Sequence, residues 1–300
     1  MKNIIEFYYN LSPENIKQKN NNYYFNTNNN NYIFKEYNIN IALIEDIAKL
    51  NIYLNNYLNI NKIIFNKYNN PLTKINSSYY ILILQSNKIN INLATISKLS
   101  SISLPKINTL ERNNWQILWS NMIDYYETQI GENSKKYPLI RESFDYFIGL
   151  AENAISYLTY TKKETPKTIY DNKVLSHNNL YHPLEDPLNI IIDHKSRDLA
   201  EYIKISFFNN NKNIFQELDN YFYYQKYSDY GIRVLFSRIL YPSFYFKIYN
   251  DIIQGIIKEK ELNSIINNID KYEIYIYKIY IYLKKYSNLP PVEWLKKTKN

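Results

Sequence analysis

No glycine precedes Gly131, and the 300 residues contain only 4. A chain so poor in glycine must make its left-handed turns with another residue, and asparagine tolerates that backbone region best. The run Asn26–Asn31 is one such place. The same scarcity bears on function. A phosphate-binding loop in the first hundred or so residues would have to be built on asparagine, whose backbone N–H groups are available but whose side chain obstructs close approach. Asn, Ile, Lys and Tyr dominate the sequence. All four have AT-rich codons, so a low-GC genome accounts for much of the composition.

Two textures follow one another along the chain. "NNYYFN" and "NNYIFKEYN" read as two short strands around the Asn26–Asn31 segment, which is either a hairpin turn or a loose codon-biased loop. Leu43, Ile47, Leu50, Leu54 and Leu58 recur at helical spacing and predict a helix over 41–58. "INKIIFNKYNNPLTKINSSYYILILQS" then reads as strand, Asn-Asn-Pro turn, strand. From about residue 87 the pattern turns helical. Residues 111–131 and 140–161 predict long amphipathic helices, the first stopped by Gly131. A short buried strand is expected at Asn189–Asp193, followed by a helix with Ser196 as N-cap and Asp198 in its first turn. The expected class is α+β: a small N-terminal lobe over 1–86 (sheet plus one helix) and a larger, mainly helical lobe over 87–300, meeting at a hinge near 86–90. The core of the larger lobe is predicted to hold Trp115, Trp119, Phe144, Phe147, Leu150, Ile155 and Leu158.

The formal net charge is +8, but the lysines are scattered. There is no arginine-rich helix, zinc-finger spacing or RNA-binding aromatic signature, so specific nucleic-acid binding is not expected. No signal peptide is visible, and no stretch reaches the ~18 consecutive apolar residues of a membrane span. "YEIYIYKIYIYLKKY" comes nearest, broken by Glu273 and Lys278. The absence of cysteine removes disulfides, cysteine-ligated zinc and thiol catalysis.

All three histidines, His177, His182 and His194, fall between Val174 and Ile203. A metal set of His177, His182 and Asp193 or His194 fits poorly. The first two are five apart near Pro183 and Pro187, and Asp193 and His194 point to opposite faces of a strand. A phosphotransfer reading fits the frame better. Small-molecule kinases of the aminoglycoside and choline kinase type carry H-G-D-x-x-x-x-N, then a strand ending in Asp. Here "SHNNL" keeps His177 but puts Asn179 at the catalytic Asp, and an amide cannot accept the hydroxyl proton. The magnesium Asn position falls on Leu184, which offers no oxygen, and Asp193 survives as one metal ligand of two. Upstream, Lys35 in "YIFKEY" stands where the phosphate-binding lysine would be, with Glu45 on the next helix as its partner.

The segments "YPLIRESFDYFIGLAENAISYL", "SHNNLYHPLEDPLNIIIDHKSRDLAEYIK", "YGIRVLFSRILYPSFYFKIYNDII" and "LPPVEWLKK" together resemble the CotS-type spore coat kinase-like proteins of spore-forming Firmicutes, most of all their YutH branch. The resemblance is clear over about 110–296 and fainter before it. It implies a two-lobed, protein-kinase-like (aminoglycoside phosphotransferase-like) fold, synthesis in the mother-cell cytoplasm and a place in the spore coat beside other coat proteins. It also implies structural roles for Arg197 and Asp198, the latter tying its helix start to the catalytic loop, with His177 holding the loop's shape. The leading expectation is a non-catalytic pseudokinase with no cofactor. The alternative is an atypical phosphotransferase or nucleotide switch that binds Mg-ATP through Lys35 and Asp193. Tyrosine doublets such as Tyr8–Tyr9, Tyr23–Tyr24, Tyr79–Tyr80, Tyr125–Tyr126 and Tyr223–Tyr224 are candidate contact or cross-linking surfaces.

Overall fold

The computed structural model describes residues 1–38, 40–133 and 135–296. The chain forms two compact units, Met1–Arg112 with Val174–Asp193, and Asn113–Lys173 with His194–Asn300. The first carries α1 (Lys2–Tyr9), β1 (Glu14–Lys19), β2 (Asn22–Thr27), β3 (Asn30–Glu36), α2 (Ile44–Leu54), β4 (Lys62–Ile64), β5 (Thr73–Ile75), β6 (Ser78–Leu84) and α3 (Leu93–Ser100). The second begins with α4 (Trp115–Asn133) and α5 (Pro138–Glu164). The chain then forms β7 (Lys173–His177) and β8 (Ile190–His194) as a two-stranded pair. The helices α6 (Ser196–Phe208), α7 (Ile214–Tyr224), α8 (Asp229–Leu240), α9 (Ser243–Ile253), α10 (Asn263–Ile266), α11 (Ile269–Leu283) and α12 (Glu293–Lys296) follow. Residues 86–90, where the sequence changes texture, lie inside the first unit between β6 and α3.

Asparagine does take the place of glycine. Every non-glycine residue with positive φ among those described is an Asn. Asn28 (φ 49°) and Asn29 (φ 62°) make the two-residue turn that pairs Thr27 with Asn30, so Asn26–Asn31 is a tight hairpin. Asn20 and Asn76, also left-handed, sit in the turns from β1 to β2 and from β5 to β6. The strands run in the order β1-β2-β3-β6-β4, with β5 also paired to β6. The expected order of strand, strand, helix, strand, strand is present, with α1 and β1 added ahead of it and a third short strand in 60–86. The strand β1, "ENIKQK", is almost wholly exposed, a polar edge without alternation.

One sheet face buries Ile5 of α1 with Phe25, Tyr32, Phe34 and Leu82. The other packs Ile63, Ile81 and Ile83 against α2, Leu99 of α3, and Leu175, Ile190 and Ile192 of the β7–β8 pair. Lys35 lies opposite Ile81 in the β3–β6 register, so its side chain leaves the sheet on this second face.

In the helical unit α5 packs on α4 and α8, and α6 packs on α8. Phe144, Phe147, Leu150 and Leu158 are buried as expected. Trp115, Trp119 and Ile155 are only half-buried. Trp115 lies under the Arg238 guanidinium at 3.9 Å, and Trp119 stacks on Tyr241 at 4.5 Å. Trp115, Leu118, Trp119, Met122, Ile123 and Tyr126 share the apolar face of α4 at helical spacing, but only Ile123 and Tyr126 are fully covered, while Leu118 (45 %) and Met122 (40 %) are exposed. Gly131 does not stop this helix, which runs on to Asn133. Pro138 opens α5, where its missing N–H is harmless. Of the tyrosine doublets, Tyr223–Tyr224 is exposed, Tyr125–Tyr126 is split between surface and core, and the other three are half-buried.

Candidate functional site

Lys35 leaves β3 on the face covered by the β7–β8 pair, and its Nζ stands 3.4 Å from Oδ2 of Asp186. Asp186 has a second task, its Oδ1 accepting the Leu188 N–H at 3.0 Å and capping a short 3-10 turn at Pro187–Asn189. Glu45, the expected partner of Lys35, is exposed in the first turn of α2. The carboxylate that meets the lysine therefore comes from the loop between β7 and β8.

That loop is held by one buried amide. Asn189 (4 % exposed) accepts the Asn179 N–H on Oδ1 at 2.9 Å, while its Nδ2 donates to the carbonyls of Asn179 at 2.9 Å and Pro183 at 3.3 Å. Its own carbonyl accepts the Asn178 N–H at 2.7 Å. Asn179, at the catalytic acid position, turns its Oδ1 back onto the Tyr181 N–H at 2.8 Å, closing an Asx turn. Leu184 is buried, and Glu185 is tied down through its carbonyl to Asn61 N and through Oε2 to Ile89 N. His177 and Asp193 lie buried near the ends of β7 and β8, while His182 is exposed. Among the described residues no group of three His, Cys, Asp or Glu is placed to hold a metal, so the histidines do not assemble.

A second polar cluster lies within the helical unit, and the sequence pattern pointed to its His194 and Ser196 but not to the Asp171 and Ser228 that join them. Nδ1 of His194 accepts the Ser196 N–H at 3.2 Å and lies 2.8 Å from the Ser196 hydroxyl. The ring proton therefore sits on Nε2, which faces Asp171 Oδ1 at 3.7 Å. The Ser228 hydroxyl and the Thr168 N–H also donate to Asp171. Burial works to raise the Asp171 carboxyl, but His194, Ser228 and Thr168 outweigh it and hold it down at about 2. Ser228 also caps α8 by accepting the Gly231 N–H at 2.8 Å. A Cβ at Gly231 would stand 2.9 Å from Asp171 Oδ1, so this close approach requires glycine. Asp171, His194 and Ser196 form an Asp–His–Ser series, but Ser196 is 0 % exposed, so no substrate reaches its hydroxyl. Ser196 was expected as the N-cap of α6. It is instead the first helical residue, after Lys195, and its hydroxyl serves His194. Lys195 is depressed to about 8, by burial first, with Asp171 opposing. Arg197 is half-buried, and Asp198 is buried in the first turn of α6.

Solved structures of aminoglycoside phosphotransferases share this fold. One from Alicyclobacillus acidocaldarius matches with a TM-score of 0.61 at 11% identity, covering 91% of this chain and 93% of its own. Spectinomycin phosphotransferase, solved with ADP and spectinomycin, matches with a TM-score of 0.58 at 15% identity, covering 99% and 97%. The fold is thus the protein-kinase-like, aminoglycoside phosphotransferase-like α+β fold. Within that class, residues 2–279 match the family described as "Spore coat putative kinase YutH", and the chain belongs to it. The endospore coat-associated protein YutH of Bacillus subtilis (strain 168) is 28% identical over 210 residues, a match that spans 61% of this chain and 61% of that protein's length. No described helix is long and apolar enough to cross a membrane.

Magnesium nucleotide is the cofactor this fold class implies, and the donors present fit it poorly. Leu184 has no oxygen, and both side-chain heteroatoms of Asn189 are engaged within the loop. Asp186 faces Lys35 and its own capping turn. Asp193 remains as a single buried carboxylate, short of the oxygen set a magnesium ion needs.

Proposed function

We propose that this chain is a spore coat component that acts through its surfaces, a pseudokinase whose loop between β7 and β8 has become a structural element. One observation carries the reading: Asn179, at the position of the catalytic acid, uses its side-chain oxygen on the Tyr181 N–H of its own loop. A residue so placed neither orients nor deprotonates an acceptor hydroxyl. The pairing of Lys35 with Asp186 supports the same reading, because the lysine's carboxylate comes from the loop itself and not from α2, where Glu45 stands exposed. The coat setting is drawn from the family and from the Bacillus subtilis relative. A role exercised through contacts agrees with the apolar side chains α4 leaves exposed, Ile117, Leu118, Met122 and Tyr125, and with the exposed pair Tyr223–Tyr224.

A thermal-shift titration with and without magnesium and ATP, run beside a phosphotransfer assay, tests this reading. The expected result is no magnesium-dependent shift and no turnover. A bound nucleotide at a hundredfold excess over its Kd would stabilise the protein by about 2.7 kcal/mol, which is easily seen. A shift of that size, lost in Lys35→Ala and Asp193→Asn, overturns the pseudokinase reading in favour of a nucleotide switch. Turnover lost in the same variants makes the protein an atypical kinase.

A further inference from the structure

Two helices of the second unit turn mixed apolar and charged faces to solvent, and their charges are opposite in sign. On α4 the inward side holds Trp119, stacked on Tyr241, and Tyr126, stacked on Phe246. The outward side is apolar as well. Leu118, Met122 and Tyr125 fall at i, i+4 and i+7, a straight row with Ile117 beside it, and all four are exposed. A helix that is apolar on both sides is one that buries both. Its charged residues are Asp124, Glu127 and Glu132, all exposed, and it carries no Lys or Arg. Glu132 continues the row of Leu118, Met122 and Tyr125, and Asp124 flanks it.

On α11 the pattern is the same and the sign is reversed. Tyr272, Tyr280 and Tyr282 pack inward on Phe207, Phe236 and Phe222. Outward, Lys271, Ile274, Lys278 and Ile281 fall at i, i+3, i+7 and i+10, and all four are exposed, Ile274 by 42 % and Ile281 by 46 %. Lys284 and Lys285, also exposed, prolong the row just past the helix end. Of the two acids on α11, Asp270 stands at its start, and Glu273 accepts the Tyr146 hydroxyl at 2.6 Å. Because α4 and α11 pack inward on different rings, their outward faces are separate patches of one unit.

Charges beside an apolar helix row choose its partner. Two α4 faces would set carboxylate against carboxylate, and two α11 faces ammonium against ammonium. A polyanion would suit α11 and leave α4 uncovered. A second copy of the chain covers both faces with one contact, acid to base, and lays Leu118, Met122 and Tyr125 against Ile274 and Ile281. We propose that this chain associates with itself head to tail, α4 of one copy docking on α11 of the next. A contact between unlike faces leaves one of each open at the ends, so assembly continues past a dimer. The pairing names a partner for the contact role proposed above. It does not involve the loop between β7 and β8, so a chain found to be monomeric would leave the reading of that loop intact.

Sedimentation velocity of the full chain over a concentration series tests the proposal. Species larger than a dimer are expected at low salt, and raising salt from about 0.05 M to about 0.5 M should weaken the association about tenfold. Asp124→Lys with Glu132→Lys leaves both faces basic, and Lys271→Glu with Lys278→Glu leaves both acidic. Each double variant alone should be monomeric with its Tm unchanged, since all four positions are exposed. Mixed in equal amounts, the two should assemble again, because every face then meets its opposite, a recovery that misfolded variants would not show. A wild type that stays monomeric at about 100 µM in low salt overturns the proposal and leaves α4 to a different basic partner. So does Lys271→Glu with Lys278→Glu associating as the wild type does, which would mean that α4 pairs with α4. A mixture that remains monomeric overturns it as well.

Discussion

The loop between β7 and β8 and the cluster around Asp171 use similar chemistry in different surroundings. In the loop, Lys35 and Asp186 face each other with side chains 35% and 20% exposed, and Asn179 is half-buried. Around Asp171, the carboxylate side chain is 1% exposed and the imidazole facing it 4%. The loop sits where a kinase would do its chemistry, yet its polar groups are engaged with one another. The Asp171 cluster has the residue types of a hydrolytic triad, yet it is closed to any substrate. Residue type alone therefore misleads in both places. Whether a group can act depends on what it already bonds and on whether anything can reach it. The same difference ranks the energies, because an interaction removed from water is worth more than one left at the surface.

The largest effect is expected at Asp171. Asp171→Ala leaves the buried Ser228 hydroxyl and His194 ring without their acceptor and releases the exposed Thr168 N–H to water, and should lower stability by about 3 kcal/mol in urea unfolding. Titration gives a sharper test. The folded carboxyl sits at about 2, below its ordinary 3.8, so its contribution is complete above about pH 4 and is lost as pH falls towards 2. That depression is worth about 2 kcal/mol, and the stability gap between the wild type and Asp171→Asn should close across that window. A gap that stays constant from pH 5 to 2 would break the contrast between a buried carboxylate and a surface one.

Asn189 should come next. Asn189→Ala removes side-chain bonds to Asn179 N, Asn179 O and Pro183 O, and should cost about 2 kcal/mol. Because those bonds close one loop, the change should also open 178–189 to limited proteolysis before the rest of the chain. Cleavage appearing elsewhere first would show that the amide supports the whole unit rather than the loop.

The parts of the molecule legible in its sequence are those set by local rules. Asn28 and Asn29 could be read as a tight turn because a glycine-free chain has few other ways to reach positive φ. The strand β8 was legible as a short apolar run, and α5 as a long stripe. The edge strand β1 was not, because an exposed polar strand has no alternation to read. On α4 the helical period was right, but period cannot say whether a partner covers Leu118 and Met122, and among the described residues none does. At the site, Asn179 and Leu184 were legible as substitutions in a known frame. The partner of Lys35 was not, since Asp186 lies 151 residues away and only the folded sheet brings the two together. Asn189 and Asp171 escaped for the same reason: their roles are defined by loops that close in space.

The smallest effect is expected at Lys35, and it tests what the residue is for. The pair with Asp186 is partly exposed at 3.4 Å, and pairs of that kind contribute below about 1 kcal/mol. Asp186 also keeps its bond from the Leu188 N–H when the lysine is gone. Lys35→Met and Asp186→Asn, combined in a double-mutant cycle, should therefore show a coupling below about 1 kcal/mol that shrinks as salt rises. Asp186→Asn alone has a second consequence, because it frees the lysine while leaving an oxygen to cap the turn. If the loop differs from a working kinase only by this internal anion, the variant should gain a magnesium-ATP thermal shift. With Leu184 at the second metal position and Asn179 closed on Tyr181, no shift is expected. The two polar groups then differ in what they hold: Asp171 anchors a buried cluster whose loss costs about 3 kcal/mol, and Lys35 a partly exposed pair worth below about 1 kcal/mol.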